Sequence, residues 1–306
     1  MHMNPTFSVV IPVYNRSEFL AETLASVNAQ TTPPYEILVI DDGSSEDEAE
    51  TISRIVHEAG GKLVRQDNAG AGIARNRGGQ EANGVYLVFL DSDDLMSPVA
   101  LATYTHVITQ TNASLIAASY SEFNDDSPLN QEVTTDLEVK MNRFDDYFAS
   151  SHNHEIVLGA GMMVLRRDLF LNSGGFTDLR VNAEDHDLAV RLGEAPVFVQ
   201  IVSPTMLMYR RHANSLTAET DKSRAGIEFL LKQEREGRFP GGQQRSVERR
   251  QILTRHVRPV SLACLQEGDR TGACQLYRAT FGTHVRQGAW KYLLGFPLLW
   301  LKSLFK

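Results

Sequence analysis

Apolar runs alternating with helix-patterned segments over the first hundred residues predict an α/β fold, a mostly parallel sheet flanked by helices. Three observations carry this. The strand-like runs are mostly apolar at consecutive positions, as strands buried on both faces are. The segments between them repeat apolar residues at helical spacing. Acidic turns follow two of the runs, where open α/β sheets place their chemistry. Phe7-Ser-Val-Val-Ile-Pro-Val13 is the first run, and Phe19, Leu20, Leu24 and Val27 follow at helical spacing. Glu36-Ile-Leu-Val-Ile40 is the second, ending in Asp41-Asp42-Gly43-Ser44. Ser45 and Glu48 have the spacing of a capping box, and Ile52, Ile55, Val56 and Ala59 give the next helix its apolar stripe. Lys62–Arg65 predicts a third strand and 72–81 a helix. Val85-Tyr-Leu-Val-Phe-Leu90 is a fourth strand, ending in Asp91-Ser92-Asp93-Asp94, with Asp94 expected to cap a helix before Pro98.

Beyond about residue 120 the pattern loosens. Residues 124–136 are polar and turn-rich and read as a surface loop. Residues 156–165 predict a strand carrying glycines at 159 and 161, Gly174-Gly175-Phe176 a turn, and 183–192 a helix. Residues 197–203 and 206–209 predict further strands. From about Glu219 the chain reads as helices, broken at Pro240-Gly241-Gly242. The expected division is an α/β domain over residues 1–218 and a basic helical region over 219–306 with an amphipathic end.

The net charge of −8 is unevenly spread. Residues 1–218 hold 14 Lys+Arg against 30 Asp+Glu, and residues 219–306 hold 16 against 8. An acidic body with a basic tail points to two modules with different partners. Nucleic acid is not an expected partner, because its phosphates would be repelled from most of the body. Cys264 and Cys274 have no metal-ligand spacing, and a reducing cytoplasm is expected. No secretory leader is expected from the first residues, and no apolar run is long enough to span a bilayer.

Three acidic clusters stand out: Asp41/Asp42, Asp91/Asp93/Asp94, and Glu184/Asp185 at the start of a later helix. Carboxylates this dense repel one another unless a cation or water separates them. An Asp-x-Asp turn can aim two carboxylates at one hard cation that also binds phosphate oxygens. One such turn is equally well a solvated helix cap; three at these positions point to a site.

The motifs Ser8-Val-Val-Ile-Pro-Val-Tyr-Asn15, Asp41-Asp-Gly-Ser44, Asn68-x-Gly70-x-x-x-Ala74-Arg75-Asn76-x-Gly78, Asp91-Ser-Asp-Asp94, Gly174-Gly-Phe176, Ala183-Glu-Asp185 and Tyr209-Arg-x-His212 occur in that order. Together, over about residues 7–216, the chain resembles the family 2 glycosyltransferases, which have the GT-A fold with a Rossmann-like nucleotide-binding domain. The resemblance implies an inverting enzyme that moves a sugar from a nucleotide sugar, with Mn²⁺ or Mg²⁺, to an acceptor hydroxyl. It implies that Pro12 and Tyr14 line the nucleobase pocket and that Asp42 accepts a hydrogen bond from the base N3–H, which suits a UDP-sugar. Arg75 would lie near the diphosphate, Asp91 near ribose or metal-bound water, and Asp93 on the metal. Asp185 would be the general base, Glu184 its neighbour in the acceptor site, and Gly175 part of a turn beneath the acceptor. His212 would be a further metal ligand, although by spacing alone a histidine beside a strand is more often structural. The acceptor would be a saccharide or lipid-linked saccharide in cell-surface polysaccharide synthesis.

Three other readings fit less. A haloacid-dehalogenase-type phosphatase needs Thr or Val where Leu95 stands, and its Asp-x-Asp ends the first strand. A dinucleotide dehydrogenase needs a glycine at position 75 and its motif after the first strand. A catalytically silent sugar-nucleotide-binding protein sits poorly with Asp93, Asp185 and His212 all present. The tail over residues 288–306, with its aromatics, leucines and three lysines, suits an element lying in a membrane interface; the competing expectation is a helix packed on the domain, or a dimer contact. An enzyme of the cytoplasm, peripheral on the inner face of the cell membrane, is the corresponding expectation.

Overall fold

The computed structural model describes residues 5–124, 138–153, 155–178, 181–211 and 220–304. Contacts divide the chain into two compact units, residues 1–147, 156–178 and 195–213 in one and residues 148–155, 179–194 and 214–306 in the other.

The first unit is built on an eight-stranded sheet. Its strands are β1 (Phe7–Val13), β2 (Glu36–Asp41), β3 (Lys62–Arg65), β4 (Tyr86–Phe89), β6 (Leu115–Ala117), β8 (Lys140–Phe144), β9 (Met163–Arg166) and β10 (Phe198–Ser203), in the order β3-β2-β1-β4-β9-β6-β10-β8. β3, β2, β1 and β4 are mutually parallel, and β6 pairs parallel with β10. β9 runs antiparallel between β4 and β6, and β8 antiparallel along β10. A small second sheet holds β5 (Leu95–Met96), β11 (Leu207–Arg210) and β7 (Tyr120–Phe123). The helices of this unit are α1 (Ser17–Asn28), α2 (Glu46–Glu58), α3 (Ala71–Glu81), α4 (Ala100–Thr111) and α5 (Arg167–Asn172). All seven residues of β1 are buried, as expected of a strand covered on both faces.

Several expectations are corrected. Ser45 and Glu48 do not form a capping box: Ser45 precedes α2 without a side-chain bond to it. Its N–H is taken by Asn15 Oδ1 (2.9 Å), so Glu48 reaches across to accept the N–H of Ser17 at the start of α1 (3.0 Å). The strand expected over 156–165 is confined to β9, preceded by a 3₁₀ turn at Ala160–Met162. Glycines at 159 and 161 weaken extended pairing there. Nor does Asp94 cap a helix, since α4 starts at Ala100 and Asp94 bonds elsewhere. Of the loop read over 124–136, all but Asn124 lies outside the described residues.

The second unit contains α6 (Glu184–Arg191), α7 (Thr220–Arg235), α8 (Ser246–Gln266), α9 (Arg270–Arg286) and α10 (Trp290–Ser303). The sequence divides the chain once, at 218, whereas packing draws 148–155 and 179–194 into the helical unit. Phe148 is wholly buried against Gly193, and Arg255 donates to the carbonyls of Ser150 and Ser151. On α7, Gly226 lies so close to the 182 backbone that a Cβ would sit 2.3 Å from the Asn182 carbonyl oxygen. The break at 240–242 is held by Arg249, which donates to the Pro240 and Gly242 carbonyls and pairs with buried Glu234 at 2.6 Å. No described helix is long and apolar enough to cross a membrane.

The glycine at 78 in the Ala74-Arg75-Asn76-x-Gly78 motif has a packing reason. A Cβ there would sit 2.2 Å from Val10 Cγ1 and 3.3 Å from Ile40 Cγ1, so α3 lies directly on the sheet. Gly78→Ala is expected to destabilise by about 1–3 kcal/mol through overpacking. Gly282→Ala, in the interior of α9 with open space at the Cβ position, should instead stabilise by about 0.5–1 kcal/mol. Thermal unfolding of the two variants beside the parent chain checks both signs.

Candidate active site

β2, β1 and β4 are neighbours and parallel, so the turns that leave their carboxyl ends lie side by side. These turns carry Asp41/Asp42, Tyr14/Asn15 and Asp91–Asp94. Pro12 is buried in β1 opposite Ile40, while Tyr14, just past the strand, is 51% exposed. Asn15 takes a left-handed backbone (φ 47°), which asparagine tolerates. Its N–H donates to Ser44 Oγ at 2.9 Å, tying the first turn to the second.

Asp42 is buried, and its carboxylate takes three donors from one stretch: Gln66 Nε2 (2.8 Å), the Ala69 N–H (2.9 Å) and the Gly70 N–H (2.8 Å). It therefore fastens the segment entering α3, with one of about four lone-pair positions left for another donor. Asp41 is fully buried, accepts the Ser44 N–H and lies 3.4 Å from Arg65 Nε.

The Asp91–Asp94 turn is surrounded by guanidinium groups. Asp91 Oδ1 meets Arg75 Nη2 at 2.5 Å, and Asp93 Oδ2 meets Arg16 Nη1 at 2.6 Å. Asp94 accepts the Arg210 N–H at 2.9 Å. Burial, and after it the charges of Asp91 and Asp93, push the Asp94 carboxyl up to about 9, so it is uncharged at neutral pH. Arg75 is buried in α3, with its guanidinium 5.5 Å from the centre of the Phe176 ring. Phe176 packs on Phe89 and Phe170, and Asn76 clasps its backbone from both sides: Nδ2 donates to the Phe176 carbonyl (2.8 Å) and Oδ1 accepts its N–H (2.7 Å). Gly175 (φ 71°) faces the same clasp, where a Cβ would sit 2.3 Å from Asn76 Oδ1.

In the helical unit, Glu184 and Asp185 begin α6. Asp185 Oδ1 accepts the His186 N–H at 2.7 Å and lies 3.1 Å from His186 Nδ1. The His186 ring rests on that of His256, centroids 3.7 Å apart. Burial, then the neighbouring His186 and Arg255, hold the His256 imidazole well below its ordinary value. Asp185 retains 25% of its side-chain surface, whereas Asp187 is buried and paired with Arg191 at 2.8 Å.

Asp91 and Asp93 are hard oxygen donors of the kind Mg²⁺ and Mn²⁺ take, and each keeps some exposed surface. Among the described residues no group of three or more His, Cys, Asp or Glu side chains is arranged to hold a metal ion. His212 lies outside the described residues. Each of the two carboxylates faces a guanidinium group, Asp91 that of Arg75 and Asp93 that of Arg16.

Arg16 and Arg210 escaped the sequence reading. Arg210, buried at the end of β11, donates from Nε to the Asp93 carbonyl (2.9 Å) and from Nη2 to Glu22 (2.5 Å). Its guanidinium lies 4.7 Å and 4.6 Å from the ring centres of Phe19 and Phe123. The available signal for Arg210 is the Tyr209-Arg-x-His212 motif, in which it stands beside the histidine. Arg210→Met is expected to lower stability by about 2 kcal/mol, from loss of charge-assisted bonds. Thermal unfolding measures this, and activity should drop at least about tenfold as the Asp93 turn loosens.

Comparison with known proteins agrees with this architecture. The description "Glycosyl transferase family 2" matches residues 8–172. The chain is 25% identical over 241 residues to the uncharacterized glycosyltransferase EpsJ of Bacillus subtilis, covering 76% of this chain and 68% of that protein. It is 37% identical over 118 residues to an uncharacterized glycosyltransferase of Rickettsia felis, covering 39% of this chain; that match spans about a fifth of the relative's length (20%). The crystal structure of S. aureus TarS 1-349 in complex with UDP-GlcNAc superposes with a TM-score of 0.60 at 18% identity over 92% of each chain, a likeness of fold, the GT-A arrangement with a helical C-terminal region. The chain belongs to glycosyl transferase family 2.

Proposed function

We propose that this glycosyltransferase is an inverting enzyme that moves a sugar from a UDP-sugar to a hydroxyl of a saccharide or lipid-linked saccharide, in the cytoplasm, during synthesis of a cell-surface polysaccharide. The observation that carries the reading is the Asp91–Asp94 turn, with paired arginines, beside the exposed ring of Tyr14 and the buried carboxylate of Asp42. The TarS structures hold UDP-GlcNAc and UDP, which favours the same class of donor.

In this reading the base stacks by Pro12 and Tyr14 and gives its N3–H to the remaining lone pair of Asp42. Asp91 receives the ribose, and Arg75, buried beside it, turns its charge toward the diphosphate. Asp93 and His212 would hold Mn²⁺ or Mg²⁺, which neutralises charge gathering on the departing diphosphate. Asp185 takes the proton of the acceptor hydroxyl as that oxygen bonds to the anomeric carbon and the nucleoside diphosphate departs. Glu184 and the turn at Gly175 belong with the acceptor.

The purified chain is expected to hydrolyse a UDP-sugar slowly in Mn²⁺, with Asp93→Ala abolishing the reaction. Asp185→Asn should bind donor normally, as read by the thermal shift it causes, and lose transfer by at least about a hundredfold. Transfer at the parent rate by Asp185→Asn would remove that residue as the base; a donor-independent melting point in every UDP-sugar would remove the donor class.

A further inference from the structure

The last helix turns apolar side chains outward. Trp290, Leu294, Leu298, Leu301 and Leu304 on α10 and its end are 57, 69, 61, 49 and 44% exposed. At about 100° per residue they fall within one third of the helix circumference. Leu299, 46% exposed, lies outside this stripe; the rest of the opposite side is already occupied. Tyr292, Leu293 and Phe296 are buried, Tyr277 of α9 stacks on Phe296 (4.3 Å between centroids, 7° between planes), and the Tyr277 hydroxyl donates to the Leu293 carbonyl. The helix is thus held without its exposed stripe. Scattered apolar residues on a surface are ordinary, whereas a contiguous row of this kind marks an interaction face.

Charge identifies the partner. From residue 270 to residue 306 there is no Asp or Glu, against six Lys and Arg. Lys291 and Lys302 are exposed, and the helical angle puts both along one edge of the stripe. Leucines and a tryptophan flanked by lysines with long apolar stems make an element that lies along a bilayer surface. The helix, about 21 Å long at 1.5 Å per residue, is too short to span one. A second copy of the chain fits the face poorly, because pairing two such helices gathers cations with no acidic group to offset them.

We infer that this face of α10 docks the protein on membranes that contain anionic lipid, with Trp290, Leu294, Leu298 and Leu301 entering the headgroup boundary and Lys291 and Lys302 meeting lipid phosphates. This does not depend on the donor or the acceptor. The chain has two tryptophans, Trp290 and Trp300, both in α10, so intrinsic fluorescence reports on this helix alone.

The test uses the full chain and vesicles of phosphatidylcholine, alone or with phosphatidylglycerol, carrying no saccharide. The protein should sediment with the phosphatidylglycerol vesicles, with a blue shift in tryptophan emission and quenching by bromine-labelled acyl chains, and should release in high salt. Leu294→Glu with Leu298→Glu should weaken binding at least about tenfold. Lys291→Gln and Lys302→Gln should each weaken it about fivefold. All should leave UDP-sugar hydrolysis unchanged. The quenching measurement on the unaltered chain stands even if a variant fails to fold. The inference is overturned if the parent chain stays in the supernatant with unchanged emission, or if the paired glutamates leave binding intact. It is equally overturned if those glutamates convert a dimer to a monomer in a chain that ignores vesicles.

Discussion

Three carboxylates within one four-residue turn repel each other, and the end of the sheet around Asp91–Asp94 is organised by that repulsion. Asp91 and Asp93 each hold a guanidinium, from Arg75 on α3 and Arg16 before α1. Asp94, buried too deeply for a third, keeps its proton instead. Arg210 then fixes the turn through the Asp93 carbonyl and the Asp94 carboxyl while packing between two phenylalanine rings. The charge of the turn is thus balanced within the fold, by arginines of which Arg75 and Arg210 are buried. The arginines come from separate helices and strands, so the electrostatics of the turn also knit the first unit together.

The parallel half of the sheet was legible chiefly because β1, β2 and β4 are apolar on both faces. β1, β2, β3 and β4 all fall within the predicted runs, give or take a residue at the ends. β5, β6, β7 and β8 were not. β7 and β8 are half polar, and the residues of β7 alternate between exposed and partly buried. The capping box failed for a different reason. Its spacing was correct, but Asn15, 30 residues away, supplied the acceptor that the local pattern would have drawn from Glu48. Local signatures cannot report a competitor brought in by tertiary structure.

The site divided the same way. Residues whose role depends on strand ends, such as Asp42 and Asp91, were found from the acidic turns. Those whose role depends on a long-range partner, such as Arg16 across 77 residues from Asp93, had no pattern to announce them. Asp94 looked like its neighbours in sequence and differs from them only in burial. Asp42 also holds the fold together, since it gathers three donors from the segment that leads into α3.

The chain passes between its two compact units five times, and this bears on how it is made. Residues 179–194 leave the ribosome well before α7 and α8, on which Asn182 and His186 find their partners. Until α7 and α8 emerge, Asn182 and His186 lack Ser223 and His256, their partners in the complete chain. Shortening the gene near residue 218 would remove those partners permanently. Residues 148–155 and 179–194 therefore belong with the C-terminal helices, although they lie in the first two-thirds of the sequence.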